Sequence, residues 1–341
     1  MRIATYNVEW FNSLFDDRGS LLMDDRRSGR YGITRAQQAE ALGVVFTALN
    51  ADAIMVIEAP DQSSRRATVP ALESFAKAFD LRAHKVLMGF ENNTQQEIAL
   101  LYDPAALTVR HDPWGNETGK KGSPTAPRFD SVFRIDLDID ATEDLVRFSK
   151  PPLEIAAKTA LGFEFRMTGV HLKSKAPHGA RTKEEAMRFS IQNRRKQLAQ
   201  AIWLRQRIEE NLALNVPLMV MGDLNDGPGL DEYEGLFGRS TIEIVLGEGR
   251  DVQLHDPHAR QALATRLGAK PTSARFYIAP QKRYLQALLD YIMISPDLSG
   301  LAPEWRIWHP FDDPGCWKVP ELRDALIFAS DHFPVTLDIA I

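Results

Sequence analysis

The sequence has a single cysteine and no long uncharged hydrophobic run. Cys316 has no partner in the chain, so an intramolecular disulfide and a cysteine-rich zinc site are both excluded. No stretch reaches the roughly 18 apolar residues that a membrane helix needs. The N-terminus lacks the basic and apolar segments of a signal peptide, which predicts a cytoplasmic protein. We also predict that Cys316 is a surface or loop residue and not a nucleophile.

Basic residues are not in excess either. The 341 residues include 41 Lys and Arg against 46 Asp and Glu, and the net charge of −5 argues against a generally basic surface for nucleic acid. The hydrophobic content of 44% and charged content of 26% are those of a globular protein. Positive charge is concentrated between His171 and Arg207, where ten Lys and Arg stand against two acids. A local basic groove is therefore compatible with the composition.

Short apolar strands alternate with helical patterns along the chain. Apolar residues recur at helical spacing within residues 35–50, and residues 183–214 predict one long amphipathic helix or two. Apolar runs such as 53–57 and 218–221 predict buried strands. This mixture predicts an α/β or α+β sandwich. Because no repeat or Gly/Ser linker divides the sequence, we interpret residues 1–341 as one domain.

Polar side chains stand at several of these strands. Apolar runs are followed by Asn7 and Glu9, by Glu58, by His171, and by Asp223 and Asn225, whereas Asp290 lies within such a run and Asp331 and His332 come just before the last strand. One such residue is usually a helix cap or a hydrogen-bonded buried group, because an unpaired buried charge is costly. Six such places with matching chemistry indicate a metal site with oxygen ligands and acid–base groups. Zinc fits less well, because closely spaced His or Cys ligands are missing.

Seven strings in this order resemble the successive motifs of the endonuclease/exonuclease/phosphatase family. They are TYNVEW, VIEA, EIALLYD, GVHLKSK, MGDLND, LDYIMIS and SDHFPV. The resemblance extends from residue 3 to residue 336, and the GDxN and SDHxPV strings are its most specific part. It implies a four-layer sandwich of two mixed β-sheets packed face to face and flanked by helices, with the site at one end of the sheets. It also implies phosphoester hydrolysis with Mg²⁺ or Mn²⁺ as cofactor.

The resemblance implies roles for the strand-end residues. The metal ligands that it implies are Asn7, Glu9, Glu58 and Asp331, with Glu58 the main one. The catalytic residues that it implies are His171, Asp223, Asn225, Asp290, His332 and Glu97. Asp223 would orient or deprotonate the attacking water, and Asn225 would hydrogen-bond the phosphoryl oxygens. Asp290 would orient His332, and Glu97 would pair with His171. The identity of the general base stays open.

The substrate is less determined. Many family members have an Arg where this chain has Lys150, which offers a point charge in place of a bidentate fork. We predict substrate binding by Lys150, Lys173, Arg194 and Arg195, because the basic segment resembles the bacterial nuclease branch and could follow a phosphate backbone. That segment could equally be a solvated helix. A nuclease with a nucleic acid substrate is favoured, and no membrane or protein partner is predicted. A phosphatase of small or inositol-type phosphates and a catalytically inactive binding module are the alternatives.

Overall fold

The computed structural model describes residues 1–137, 143–177, 179–227, 238–249, 252–264, 268–278 and 282–341. The strands are β1 Arg2–Asn7, β2 Ala53–Ala59, β3 Lys85–Met88, β4 Glu97–Tyr102, β5 Leu107–His111, β6 Phe133–Ile135, β7 Asp144–Val146, β8 Leu153–Thr159, β9 Glu164–His171, β10 Leu218–Asp223, β11 Ala274–Ile278, β12 Arg283–Ala287, β13 Asp290–Ile294, β14 Glu304–Ile307 and β15 Val335–Asp338. The helices are α1 Arg35–Leu49, α2 Thr68–Ala78, α3 Lys183–Ala213, α4 Thr241–Leu246, α5 Pro257–Ala264, α6 Pro314–Trp317 and α7 Pro320–Ala329.

Two mixed sheets form the centre of the fold. The six-stranded sheet has the order β14-β15-β1-β2-β4-β3, and the five-stranded sheet has the order β13-β10-β9-β8-β5. In the first sheet β1 and β2 are parallel, and in the second β9 and β10 are parallel. The other pairings in both sheets are antiparallel. Parallel neighbours end at the same edge, which brings the residues that follow them together.

Alternation along the strands builds the layers. In β1, Ile3 lies in the core between the sheets, whereas Tyr6 packs in the core formed with α1, α2 and α7. In β10, Met219 lies between the sheets and Val220 packs with α3 and α4. Because side chains alternate between the faces of a strand, each sheet buries both of its faces. The predicted four-layer sandwich is confirmed.

Helix α3 is continuous, so the long pattern predicted as one helix or two is one. Thr182 caps its N-terminus by accepting a hydrogen bond from the Glu185 N–H. Further along, Trp203 is fully buried and its indole N–H donates to the Pro127 carbonyl. Arg207 donates to the Ala126 carbonyl in the same loop. The loop of residues 114–127 is therefore fixed against α3.

Strands β11 and β12 pair as a separate two-stranded sheet. Cys316 was predicted to be a surface or loop residue, and this prediction is wrong: it is buried in α6, where Arg306 contacts its sulfur. Burial raises the pKa of the Cys316 thiol to about 11, which agrees with an unreactive residue. Within the described residues, no helix combines the length and apolarity needed to cross a membrane.

Candidate active site

Three neighbouring strands carry one row of polar side chains at a single edge of the five-stranded sheet. Asp223 at the end of β10 is aligned with His171 of β9 on one side and Asp290 of β13 on the other. All three residues share the strand face of Met221 and Ile292, which lie in the core between the sheets. All three are buried. The predicted convergence of these strand ends is therefore seen in the structure.

Asn7 links this row to the other sheet. Its Nδ2 donates to Asp223 Oδ2 at 3.0 Å, across the space between the sheets. Asn225 holds the same carboxylate, with its backbone N–H on Oδ1 at 2.7 Å and its Nδ2 on Oδ2 at 3.0 Å. The Asn225 Nδ2 also donates to the Leu172 carbonyl, so both of its amide hydrogens are used within the protein. Asn225 thus positions Asp223 and does not, in this arrangement, offer its amide hydrogens to phosphoryl oxygens as predicted.

Glu58 reaches the site through a break in strand regularity. It has a positive φ of 61°, and the pairing of β2 with β4 shifts register between Ile57 and Ala59. Strict alternation would place Glu58 on the helix side with Val56, but a bulge can re-aim a side chain. Its Oε2 accepts a hydrogen bond from Gln96 Nε2 at 2.7 Å, and its Oε1 lies 3.9 Å from His171 Nε2.

The predicted pairing of Glu97 with His171 is wrong. Glu97 is fully buried, and its carboxylate accepts hydrogen bonds from Asn92 Nδ2 and the Gln62 N–H. On β4 it shares the face of Ala99, which packs in the core with α1 and α2. Gln96, one residue earlier, projects to the site side instead. Burial raises the pKa of Glu97 to about 7, but this carboxyl lies on the wrong face of the sheet to orient His171.

His332 forms the predicted pair with Asp290. Its Nδ1 lies 2.8 Å from Asp290 Oδ2, and the Ser273 hydroxyl donates to the same oxygen at 2.7 Å. Burial opposes the charged imidazolium, but the charge and hydrogen bond of Asp290, with Asp223 and Asp331 nearby, raise the pKa of His332 well above its ordinary value. His332 is therefore protonated at neutral pH, with its orientation fixed by Asp290.

His171 differs from His332 in that its pKa is lowered. Lys150 Nζ lies within 3.2 Å of both ring nitrogens, and the ring Nε2 is 3.6 Å from Asp223 Oδ2. Burial lowers the pKa of His171 well below its ordinary value, and the positive charges of Lys150, His332 and Lys173 lower it further. His171 is therefore neutral at pH 7, and its partner is a lysine in place of the predicted carboxylate.

Two further acids complete the acidic side of the site. Glu9 was predicted to bind metal, but its two oxygens accept hydrogen bonds from Trp10 Nε1 and the Arg30 guanidinium. It acts here as the counterion of Arg30. Burial and the charge of Asp331 raise the pKa of Glu9. Burial is the main cause of the raised pKa of Glu58, and the charges of Asp331 and Glu9 raise it further. The three carboxylates therefore lie close together.

The residues at this position fit a hard divalent cation. Asn7 Oδ1 is buried and has no hydrogen-bond partner among the described residues. Glu58 and Asp331 supply carboxylate oxygens whose mutual repulsion a cation would relieve. In the part of the chain that is described, no three His, Cys, Asp or Glu side chains form a metal cage. Mg²⁺ commonly needs only one or two carboxylates besides water and substrate phosphate, so this set is compatible with Mg²⁺ or Mn²⁺.

The basic segment is arranged differently from the prediction. Arg194 is 1% exposed and donates to Asp226 Oδ2 at 2.8 Å, so its predicted contact with substrate is wrong. Arg195 forms an ion pair with Asp144, also at 2.8 Å. Burial is the main cause of the lowered pKa of Lys150, and the positive charge of nearby Lys173 lowers that pKa further. Substrate binding by Arg195, Lys150 and Lys173 stays a prediction.

Four residues that support the site were not predicted. The Ser330 hydroxyl donates to the Asn7 carbonyl and accepts the His332 N–H, which ties the last motif to the first. Ser273 positions Asp290, and Gln96 positions Glu58. Gln96 could have been found from strand alternation, since Glu97 follows it on the Ala99 face. Arg30 lies in a loop without a repeating pattern, and no sequence signal indicates its contact with Glu9.

Comparisons with known proteins agree with this architecture. Truncated Caenorhabditis elegans TDP2 superposes with a TM-score of 0.53 and 14% identity, covering 100% of this chain and 97% of that one. An AP endonuclease from Archaeoglobus fulgidus has a TM-score of 0.51 and 12% identity, covering 100% of both chains. At such identities the likeness shows the fold alone. No curated protein matches the sequence. The model of the Endonuclease/Exonuclease/phosphatase family matches residues 4–332, and the chain therefore belongs to that family.

Proposed function

We propose that this protein hydrolyses phosphodiester bonds of a nucleic acid, with Mg²⁺ or Mn²⁺ as its cofactor. The observation that carries the proposal is the meeting of two histidines with opposite partners, Asp290 at His332 and Lys150 at His171, beside a cluster of carboxylates. Asp290 raises the pKa of His332, whereas burial and the charge of Lys150 lower the pKa of His171. Surroundings that push two titratable groups apart in pKa suit a division between proton donor and proton acceptor.

The electrophilic side of the reaction would use His332 and the metal ligands. Glu58, Asp331 and Asn7 Oδ1 would hold the cation, which when bound supplies positive charge for the non-bridging phosphoryl oxygens. His332, kept protonated by Asp290, would donate a hydrogen bond to one of these oxygens. Because Asp290 accepts from both Ser273 and His332, the imidazolium is orientated before substrate arrives.

The attacking water would be orientated by Asp223. Asn7 and Asn225 fix both of its oxygens, so the carboxylate has one orientation. Burial raises the pKa of Asp223 to about 7, with Asp290 adding to the rise and His332 opposing it. A carboxyl that titrates near neutral pH can accept a proton and release it again. Neutral His171 lies 3.6 Å away and is the second group able to accept that proton.

A chain of phosphates is favoured as substrate by the lysines beside His171. Lys150 contacts the His171 ring, and Lys173 lies near Lys150. Lys196 lies near Lys173 in turn, because the charge of Lys173 lowers the pKa of Lys196 in addition to burial. Three lysines close to one another beside the reaction centre fit successive backbone phosphates better than one terminal phosphate.

A substrate panel tests the proposal. Single-stranded DNA, duplex DNA, RNA, bis-p-nitrophenyl phosphate and p-nitrophenyl phosphate would each be incubated with Mg²⁺, with Mn²⁺ and with EDTA. We expect diester and oligonucleotide hydrolysis that EDTA abolishes and either metal restores. His171→Ala and Asp223→Asn serve as active-site controls and should each lower turnover by about 100-fold or more. Hydrolysis of the monoester alone, or full activity in EDTA, would overturn the proposal.

A further inference from the structure

A continuous row of planar side chains crosses the surface beside the site. We call it the aromatic ladder, and in order it comprises Tyr277, Tyr284, Arg275, Phe311, Trp317 and Arg323. Its ring–ring contacts have centroid distances of 5.3 Å between the two tyrosines and 6.3 Å between the Phe311 and Trp317 rings. Its guanidinium–ring contacts measure 4.1, 5.1 and 5.2 Å. The four rings are 39–57% exposed, which is unusual for a cluster of large aromatic side chains.

Arg275 at the centre of the ladder has no side-chain hydrogen bond or ion pair to any described residue. Its guanidinium lies between Tyr284 and Phe311, and its Nε is buried without a partner. Arg306 over Trp308 differs, because it is paired with Asp313. The rings hold the Arg275 fork in place, and no described residue accepts a hydrogen bond from its terminal nitrogens.

The middle of the ladder is joined to the segment that carries the reaction centre. The Arg275 N–H donates to the Asp331 carbonyl at 2.7 Å, and Ala274 forms a β-bridge with His332. A phosphate at His332 would thus place the neighbouring nucleotides of the same strand near Arg275. A cross-strand tyrosine pair can also stabilise a hairpin, but that role requires neither the unpaired arginine nor the aromatic residues contributed by another loop.

We infer that the aromatic ladder binds an unpaired stretch of the nucleic acid substrate. Bases stack on the exposed rings of Tyr277 and Tyr284, and Arg275 donates to a phosphate or base edge. Stacking on aromatic side chains and on arginine recurs in proteins that bind single strands, where every base offers a flat face. A duplex hides these faces, so the surface prefers unpaired nucleotides. The inference rests on the proposed function, because the strand that crosses the ladder is part of the nucleic acid substrate.

The test measures the binding of a fluorescent 12-nucleotide single strand and the matching duplex by anisotropy, in EDTA to prevent hydrolysis. Tyr277→Thr removes the ring and keeps a residue that favours strands, whereas Tyr277→Phe retains the ring. We expect Tyr277→Thr to weaken single-strand binding by about 5- to 100-fold, with Tyr277→Phe close to the parent. Arg275→Gln should weaken it too and reduce the log–log salt slope by about 0.7 if the guanidinium meets a phosphate. Leu161→Ala, an exposed apolar residue between β8 and β9, is the control, because the site lies at the far end of β9.

Thermal unfolding of each variant shows whether its fold is retained, and Tyr277→Phe and Arg275→Gln keep the test valid if the threonine variant unfolds. Parental single-strand affinity of Tyr277→Thr and Arg275→Gln, or no oligonucleotide binding by the parent, would overturn the inference. Ladder-dependent binding to phosphatidylserine vesicles without oligonucleotide binding would overturn it in favour of a lipid surface. If the parent binds oligonucleotides but does not cleave them, the proposed function alone is contradicted. If the parent hydrolyses oligonucleotides and the ladder variants bind them as the parent does, the inference alone is contradicted.

Discussion

Arg194 and Arg195 are adjacent on α3, yet the structure predicts opposite consequences for their replacement. Arg194 is buried with Asp226, whose other oxygen accepts from Lys175 at 2.6 Å. Arg195 pairs with Asp144 where both side chains are about one third exposed. Successive helical residues lie about 100° apart, so one arginine faces the core while the other faces outward. Arg194→Ala should therefore lower the stability of the fold, whereas Arg195→Ala should change mainly the charge of the surface.

The magnitude follows from burial. Removing one partner of a buried ion pair costs about 3–5 kcal/mol, and Lys175 still neutralises part of the Asp226 charge, so we expect about 3 kcal/mol for Arg194→Ala. Unfolding entropy of about 2.1 cal/mol/K per residue gives about 0.7 kcal/mol/K for 341 residues, and hence a Tm lower by about 4 °C. Exposed pairs contribute about 0–1 kcal/mol, so Arg195→Ala should lower Tm by about 1 °C at most.

Calorimetry across pH gives a second check on Arg194. Burial opposes ionisation of Asp226, but Lys175 and Arg194 together lower its pKa. The stability from this carboxylate is present above its ordinary pKa and is lost as pH falls through the lowered value. The deficit of Arg194→Ala should thus be largest near neutral pH and shrink in acid. A parental Tm combined with weaker oligonucleotide binding would refute the reasoning and return Arg194 to the substrate surface.

Three further predictions concern the site itself. Glu58→Gln should raise the Mg²⁺ concentration needed for half-maximal activity at least about tenfold, and an unchanged requirement would argue against Glu58 as a ligand. Asp290→Asn should lower kcat about 100-fold. It should also move the alkaline limb of the pH profile of kcat to lower pH, because His332 loses the carboxylate that raises its pKa. A raised KM with normal kcat would indicate a binding role for Asp290 instead. Gln96→Ala should impair turnover more than Glu97→Gln does, and the reverse ranking would support the original pairing of Glu97.

The strand-end residues could be predicted from sequence because regular strands make their positions simple. An apolar run followed by a polar residue identifies the edge of a sheet, and residues at this edge are brought together by pairing register. His171 and Asp223 illustrate this at the ends of β9 and β10, and Asp290, at the start of the antiparallel β13, is aligned with them. The four layers were expected from the resemblance to the family, because the alternation of strands and helices alone predicts only an α/β or α+β sandwich. The order of the strands within each sheet was not, because it depends on contacts between distant segments.

Side-chain direction and partner identity were harder to predict. The EIALLYD motif places Glu97 at the start of β4, directly after Gln96, but a one-residue difference exchanges the two faces of the sheet. The resemblance assigned the carboxylate to the site, whereas it is the amide that faces the site. Arg194 was misassigned in a similar way, because a cluster of basic residues on a helix does not indicate which of them a distant acid such as Asp226 will bury.

Glu58 shows why alternation alone cannot describe this site. Strict alternation correctly places Gln96 on the site face and Glu97 on the helix face, but the same rule would put Glu58 on the helix face with Val56. The bulge and the positive φ at Glu58 reverse that assignment. A non-glycine residue in the left-handed region is strained, and such strain persists only where the surrounding structure holds it. Here the Gln96 hydrogen bond and the paired strands on either side hold it, so the irregular position in β2 is the one that brings the Glu58 carboxylate to the site.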